Sequence, residues 1–358
     1  MDVPEYHLPE ESIAQTPVEP RDSARLLDAR HFDAGHPEAG HPEAGLVDRS
    51  VSDLPWLVEA GDVVVVNNTK VLPARLRLRK AAGGAAEVLL LAPDPADSLS
   101  WSALVRPGRR LPPGCVLGLS SGDGAVSDRF VALVEVGDRI DGGLRRVRLL
   151  DEAESVLARC GEMALPPYIK AALEDPERYQ TVYAAVPGSV AAPTAGLHLT
   201  RPVLDGLERR GAHLCTVDLA VGLGTFRPVK VDRAEDHEMH SERYVVPEIT
   251  WEACLAARRE GRRVVAVGTT TVRALESAAA TGSLSGQSNL FIRPGFEWAV
   301  TDVLLTNFHQ PRSTLLLLLE AFVGPSWRDM YAQALRRGYR FLSFGDAMIA
   351  SRLMMPRR

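Results

Sequence analysis

Four consecutive valines, Val63 to Val66, followed by the polar run Asn67, Asn68, Thr69 and Lys70, constrain this chain more than any other segment. An unbroken β-branched run suits a strand buried on both faces, in a sheet covered by helices on either side. Those helices must come from later in the chain, because the next eighty residues carry no helical pattern. The runs ARLRLRK, AAEVLLLAP, WSALVRP, CVLGLS, RFVALVEVGDRI and RRVRLL are short, strand-like and separated by Gly, Pro and Asp. With little room for helix among them, residues 72–150 read as a small all-β module, a barrel.

Past residue 150 the chain enters the helical run DEAESVLARCGEM, and from about residue 190 the pattern alternates. LHLTRPVLDGLERRG reads as a helix with Val203, Leu204 and Leu207 on one side and Gly211 at its end. AHLCTVDLAVG is strand-like, ITWEACLAARREG helical, RRVVAVG a strand, TTTVRALESAAATG a helix and DVLLTNFH a strand. STLLLLLEAFVG reads as a largely buried helix, and DMYAQALRRGYRFLSFGDAMIA as helix and then short strand. Another short strand is expected around Arg25 to Leu27. Such alternation predicts an α/β fold. If the valine strand joins that sheet, the larger α/β domain is discontinuous, residues 1–71 and 151–358, and the β-barrel at 72–150 is an insertion.

Composition matters mainly for what it excludes. Lys plus Arg number 41 against 46 Asp plus Glu, a formal charge of -5. That rules out a uniformly basic nucleic-acid coat but leaves room for a local basic patch. Cys115, Cys160, Cys215 and Cys254 are scattered and form no C-x-x-C pair, so reduced thiols and a cytoplasmic location are expected. The N-terminus has no apolar stretch of signal-peptide length, and the tract from Leu315 is broken by Glu320, so no membrane partner is expected. The unit AGHPE occurs twice in succession and reads as a surface loop carrying His31, His36 and His41.

Several segments carry residues suited to chemistry. The loop PGSVAAPTAGLH holds Ser189, Thr194 and His198; its glycines permit close backbone approach, and a histidine entering a helix could shuttle a proton. Tyr179 and Tyr183, four apart, are expected to share a helix face as a stacking surface or as core. VGLGTFRPVKVD lacks the spacing of a dinucleotide or P-loop site, yet Arg227 and Lys230 could clamp an anion. In DHEMHSERY, His237 and His240 are three apart rather than four, so no metal is expected; His240 and Glu242 remain an acid/base candidate. AVGTTTVRALES places Gly268, Thr269, Thr270 and Thr271 at a helix start, an anion or ribose pocket, with Arg273 free to pair with Glu276. TNFHQPRST repeats the arrangement with Asn307 and His309. Polar residues after two neighbouring strands converge where open α/β sheets bind ligands.

Taken together, NNTKVLPARL, YQTVYA, PGSVAAPTAGLHLT, VGLGTFRPV, HEMHSE, GTTTVRALE, LLTNFHQPRSTLL and GYRFLSFGDAM resemble the S-adenosylmethionine:tRNA ribosyltransferase-isomerase family of queuosine biosynthesis. The blocks stand in family order along nearly the whole chain. The resemblance implies a larger α/β domain with an inserted β-barrel. It also implies transfer and isomerisation of the ribosyl portion of S-adenosylmethionine onto the aminomethyl group of a 7-deazaguanine at the tRNA wobble position. The product is epoxyqueuosine, with adenine and methionine released. S-adenosylmethionine is then a consumed co-substrate, no cofactor is retained, tRNA is the macromolecular partner, and a monomer is expected.

Within those motifs the chemistry assigns His198, His240 and His309 to proton transfer. Arg227, Arg273 and the Gly268–Thr271 turn are assigned to the donor's anionic end, and Asn307 to ribose or adenine. Asn68, Lys70, Arg75, Arg77, Arg79, Arg106, Tyr179 and Tyr183 are assigned to the acceptor, with Lys80, Arg109 and Arg110 as further phosphate contacts. Alternation in RLRLRK puts Arg75, Arg77 and Arg79 on one strand face, opposite Leu76 and Leu78. NNTKV stands where the family more often reads N-D-T-R-V, so Asn68 replaces a carboxylate and Lys70 an arginine. Leu199, Gln310, Leu342 and Phe344 also depart from the family wording. Two other readings fit the same motifs: an S-adenosylmethionine-consuming relative with a small acceptor, and a non-catalytic binding module.

Overall fold

The computed structural model of this chain describes residues 1–32, 45–121, 129–140, 143–222, 229 and 231–353. Arg227, Lys230 and the repeat histidines His36 and His41 lie outside the described residues. The chain divides into two compact units, Met1–Lys70 with Pro166–Arg358, and Val71–Leu165.

The first unit is built on a nine-stranded mixed sheet. At its centre Val63–Asn67 lies between His213–Leu219 and Val264–Val267, parallel to both, and Val303–Asn307 continues the parallel core. Ala347–Ser351 runs antiparallel to Val303–Asn307, then Arg25–Asp28 pairs parallel with it and Val47–Ser50 closes that edge. On the other side Glu242–Val245 and Ser285–Ser288 add two antiparallel strands. The valine run is buried throughout, and its alternation sorts it between two cores. Val64 and Val66 pack with Val203, Leu204 and Leu207 of helix Arg201–Arg209. Val63 and Val65 pack with Cys254 and Ala257 of helix Glu248–Arg259 and with Leu275 and Ala278 of helix Thr269–Thr281. Helices on both faces therefore make an all-apolar strand favourable at this position. A third core gathers Phe308, Phe341, Trp327 and Tyr331 beneath helix Thr314–Val323, in which Leu316 to Leu319 are buried and Leu315 is half-buried.

The second unit is a closed β-barrel. Its strands follow the order Arg75–Lys80, Ala85–Asp94, Asp97–Arg106, Arg145–Leu149, Arg129–Arg139 and Cys115–Ser121, and the last pairs back onto the first. Leu76 and Leu78 are buried, whereas Arg77 and Arg79 are exposed, as a period of two demands. The unit runs to Leu165, beyond the end expected at residue 150. Helix Ala153–Cys160 leads into Gly161–Glu162, which pairs with Arg75 and Leu76 and so ties the segment to the barrel. Helical patterning alone placed that helix in the other domain. Among the described residues, no helix is long and apolar enough to cross a membrane.

Candidate active site

The four parallel strands of the core all end at one side of the sheet, and polar residues collect there. Asn67 closes the valine strand with its side chain fully buried. Its Nδ2 donates to the Leu219 carbonyl (3.0 Å) and Thr270 Oγ1 (3.2 Å), and its Oδ1 accepts from the amides of Thr69 (3.2 Å) and Leu219 (3.1 Å). One amide group thus ties two strand ends to the first turn of helix Thr269–Thr281. No motif singles out Asn67 in the sequence; its signal there is a polar residue ending a fully buried strand.

That helix starts from Gly268, whose φ of 89° is a left-handed conformation that favours glycine. Amides of the first turn have no acceptor within the helix, which makes the turn attractive to an anion. Thr269 and Thr270 line a cleft with His237, His240, Glu242 and Arg273. They also line an adjoining recess bounded by Thr194, Thr306 and Asn307, so the two share a wall. The Thr271 hydroxyl is not available to a ligand, because it donates to the Val267 carbonyl at 2.7 Å.

Arg273 is buried and ion-paired with Glu242 of the neighbouring antiparallel strand. Its Nη2 also donates to the Ser288 carbonyl (3.3 Å), while Glu242 Oε1 accepts the Gly222 amide (2.9 Å). Arg273 does not pair with Glu276, whose carboxylate instead accepts the amides of Ala299, Val300 and Thr301 at 2.8–3.1 Å. Nor is Glu242 the partner of His240, since the arginine has its carboxylate.

The three candidate histidines differ sharply. His240 is exposed, lines the cleft and has no hydrogen-bond partner among the described residues. Its neighbour His237 packs edge-on to Phe291, and burial followed by the charge of His240 lowers its pKa. His198 is buried at the end of the turn Thr194–His198, where its Nε2 lies 2.9 Å from Asn307 Nδ2. Burial, with smaller contributions from Arg340, Arg178 and Arg21, pushes His198 down to about 4. Burial and these cations favour the neutral ring at this position. His309 is buried between Thr306 Oγ1 (3.0 Å from Nε2) and the Tyr331 hydroxyl (3.2 Å from Nδ1), and burial pushes it down to about 3. Both of its ring nitrogens are engaged by protein.

Asn307 is likewise occupied. Its Nδ2 serves His198 and the carbonyls of Leu342 (3.3 Å) and Asp346 (3.4 Å), and its Oδ1 accepts from the Thr194 hydroxyl (3.0 Å). Asn307 therefore positions Thr194 and His198. Tyr179 and Tyr183 do not share a helix face: the short helix ends at Tyr179 and Gln180 is extended. Tyr179 is core, edge-on to Phe344. Tyr183 packs on Gly196, where an added Cβ would come within 2.0 Å of its hydroxyl.

Asn68 donates its amide to the Val217 carbonyl (2.9 Å) and its carbonyl accepts from Ala185 (2.8 Å), while its Oδ1 is buried with no partner among the described residues. Lys70 is exposed. On the barrel, Arg77 pairs with Glu162 at 2.8 Å, and Glu87 stands opposite both Arg77 and Arg106 in register. Acids thus interrupt this cationic face. Arg79 and Arg106 are exposed, and Arg75 is half-buried. Among the described residues, no group of three or more His, Cys, Asp or Glu gathers as a metal site would require.

A mixed sheet with its cleft at the carboxyl ends of parallel strands, walled by Leu290, Phe291, Ile292 and Leu318 as well as by polar side chains, and interrupted after its valine strand by a closed barrel, defines an α/β ligand-binding class with an inserted β-barrel. Comparison narrows that class. The family model described as "Queuosine biosynthesis protein" matches residues 2–350. A protein of Rubrobacter xylanophilus named S-adenosylmethionine:tRNA ribosyltransferase-isomerase is 48% identical over 96% of this chain and 96% of its own length. One of the same name from Thermus thermophilus is 48% identical, over 96% of this chain and 97% of its own. The crystal structure of the S-adenosylmethionine tRNA ribosyltransferase of Thermotoga maritima is similar with a TM-score of 0.52 and 31% identity, covering 97% of this chain and 99% of that one. The chain belongs to the queuosine biosynthesis protein family.

Proposed function

We propose that this chain is an S-adenosylmethionine:tRNA ribosyltransferase-isomerase. It transfers the ribosyl portion of S-adenosylmethionine to the aminomethyl group of a 7-deazaguanine at the tRNA wobble position and isomerises it to epoxyqueuosine. The near-full-length match at 48% identity to proteins bearing that name carries the reading. The cleft supports it. S-adenosylmethionine binds as a co-substrate against the Thr269–Thr270 turn, whose free amides receive the methionine carboxylate. Arg273, already neutralised by Glu242, shapes that wall and adds little net charge.

The carbon beside the sulfonium must lose a proton, and adenine and methionine must leave. Of the three histidines, His240 suits the first task, because its ring is exposed in the cleft and unencumbered among the described residues. His198 and His309 support the wall instead. On the barrel, Arg77, Arg79 and Arg106 contact tRNA phosphates. His240→Ala should therefore lower turnover about 10²–10⁴-fold, the usual share of general acid–base catalysis. Calorimetry should find its affinity for S-adenosylmethionine little changed. Wild-type turnover in that variant would remove the base from His240.

A further inference from the structure

A narrow niche beside His198 is lined by Val18, Arg21, Arg178, His198, Ser343 and Phe344, and it belongs to no part of the cleft described above. Its polar lining consists almost wholly of donors. Arg21 is anchored by the carbonyls of Gln180 (2.6 Å) and Glu177 (2.8 Å), and Arg178 by that of Val18 (2.8 Å). Arg340, close enough to act on His198, is anchored by the carbonyls of Thr16 and Phe344, each at 3.1 Å. Among the described residues, the one carboxylate ion-paired with any of the three is the exposed Glu19, on Arg178 Nε. Arg178 Nη1 is buried with no partner among those residues.

The imidazole adds a donor of its own. Asn307 Nδ2 faces two carbonyls and its Oδ1 faces the Thr194 hydroxyl, which fixes the amide's orientation. His198 Nε2 must then accept from Nδ2, and the neutral ring carries its proton on Nδ1. Ser343 contributes a hydroxyl shared with Tyr168 at 2.7 Å. A lining of guanidinium N–H, imidazole N–H and hydroxyl selects an oxyanion. The niche admits about one water-sized atom, so it receives a single oxygen and not a whole ligand.

We propose that this niche receives a non-bridging phosphate oxygen of the tRNA acceptor; this deepens the function proposed above and rests on it. The oxygen accepts from His198 Nδ1, and the Arg178 and Arg21 guanidinium groups that line the niche balance its charge. It thereby holds the tautomer that accepts from Asn307, and through Asn307 holds Thr194 in the recess. Acceptor binding and donor-site geometry are coupled through His198, Asn307 and Thr194 in turn.

The test measures tRNA affinity across a salt series, together with calorimetric affinity for S-adenosylmethionine, in wild type, Arg178→Gln and Arg21→Gln. Each variant should bind tRNA about tenfold more weakly, with a log–log salt slope smaller by about 1, and should bind the donor as wild type does. Should Arg178→Gln not fold, Arg178→Lys, which keeps the charge but loses the fork, should show the same direction of loss. Unchanged tRNA affinity and slope in both variants, with wild type binding tRNA, would overturn the niche and leave the function standing. No tRNA binding by wild type at low salt would overturn the function and the niche's occupant with it. Parallel loss of donor affinity would reassign the niche to the donor's carboxylate. A saturable shift of the His198 ring signals on titration with inorganic phosphate, without any effect of the variants on tRNA, would reassign it to free phosphate. Either reassignment overturns the proposal.

Discussion

Glu242→Ala is expected to lower the stability of the α/β unit by about 3–5 kcal/mol, the usual consequence of leaving a buried charge without its partner. Arg273 and Glu242 are both almost fully buried, and Glu242 is the carboxylate that neutralises the guanidinium. The double variant Glu242→Ala/Arg273→Met should recover much of the loss, because an apolar pair removes the stranded charge as well as the bond. Denaturant unfolding in a Trp101→Phe background isolates the right unit, since every other tryptophan lies outside the barrel. A loss below about 1 kcal/mol, the range of exposed ion pairs, would mean that the pair is solvated.

Acid should weaken the same unit through its buried histidines. His198 is pushed down to about 4 and His309 to about 3, in both cases chiefly by burial. In the unfolded chain both return to about 6.5. Between the two values the unfolded state binds a proton that the folded state refuses, so stability is fully present above pH 6.5 or so and falls as pH falls. For His198 the window closes near pH 4, and at about 1.4 kcal/mol per pH unit the loss by then is on the order of 3 kcal/mol. His309 extends the decline by a further unit. His198→Gln, which retains an acceptor for Asn307, should make the decline between pH 6 and 4 shallower by about one proton. An unaltered slope would mean that His198 is protonated in the folded protein.

The parts of the fold that were legible in the sequence are those where local pattern and tertiary environment agree. Val63–Val66 implied a strand covered on both faces, and the helices supplying that cover sit where apolar periodicity placed them. Arg75, Leu76, Arg77, Leu78 and Arg79 alternate as written. Edge strands were not legible. Ser285–Ser288 is largely exposed and has no apolar alternation to betray it, and Glu242–Val245 was hidden in a segment that resembled a metal motif.

At the site, the location was legible and the roles were not. Threonines after Gly268 and polar residues after Val303–Asn307 do meet at one sheet edge. What decides between His198, His240 and His309 is which ring is exposed and which is already bonded, and both depend on residues more than a hundred positions away or on a turn that only tertiary packing closes. Arg273 shows the same limit: Glu276 is its neighbour on the helix, yet a strand brings Glu242 closer.

Consumption of S-adenosylmethionine to modify tRNA, the reaction proposed above, is read most directly from its products. Purified protein should be incubated with S-adenosylmethionine, with and without tRNA carrying the aminomethyl-deazaguanine, and the products read by mass spectrometry. Adenine, methionine and an epoxyqueuosine nucleoside are expected in equal amounts, all dependent on the modified tRNA. Donor consumption that proceeds equally without tRNA, or adenine release with no change in the tRNA nucleoside, would rule that reaction out.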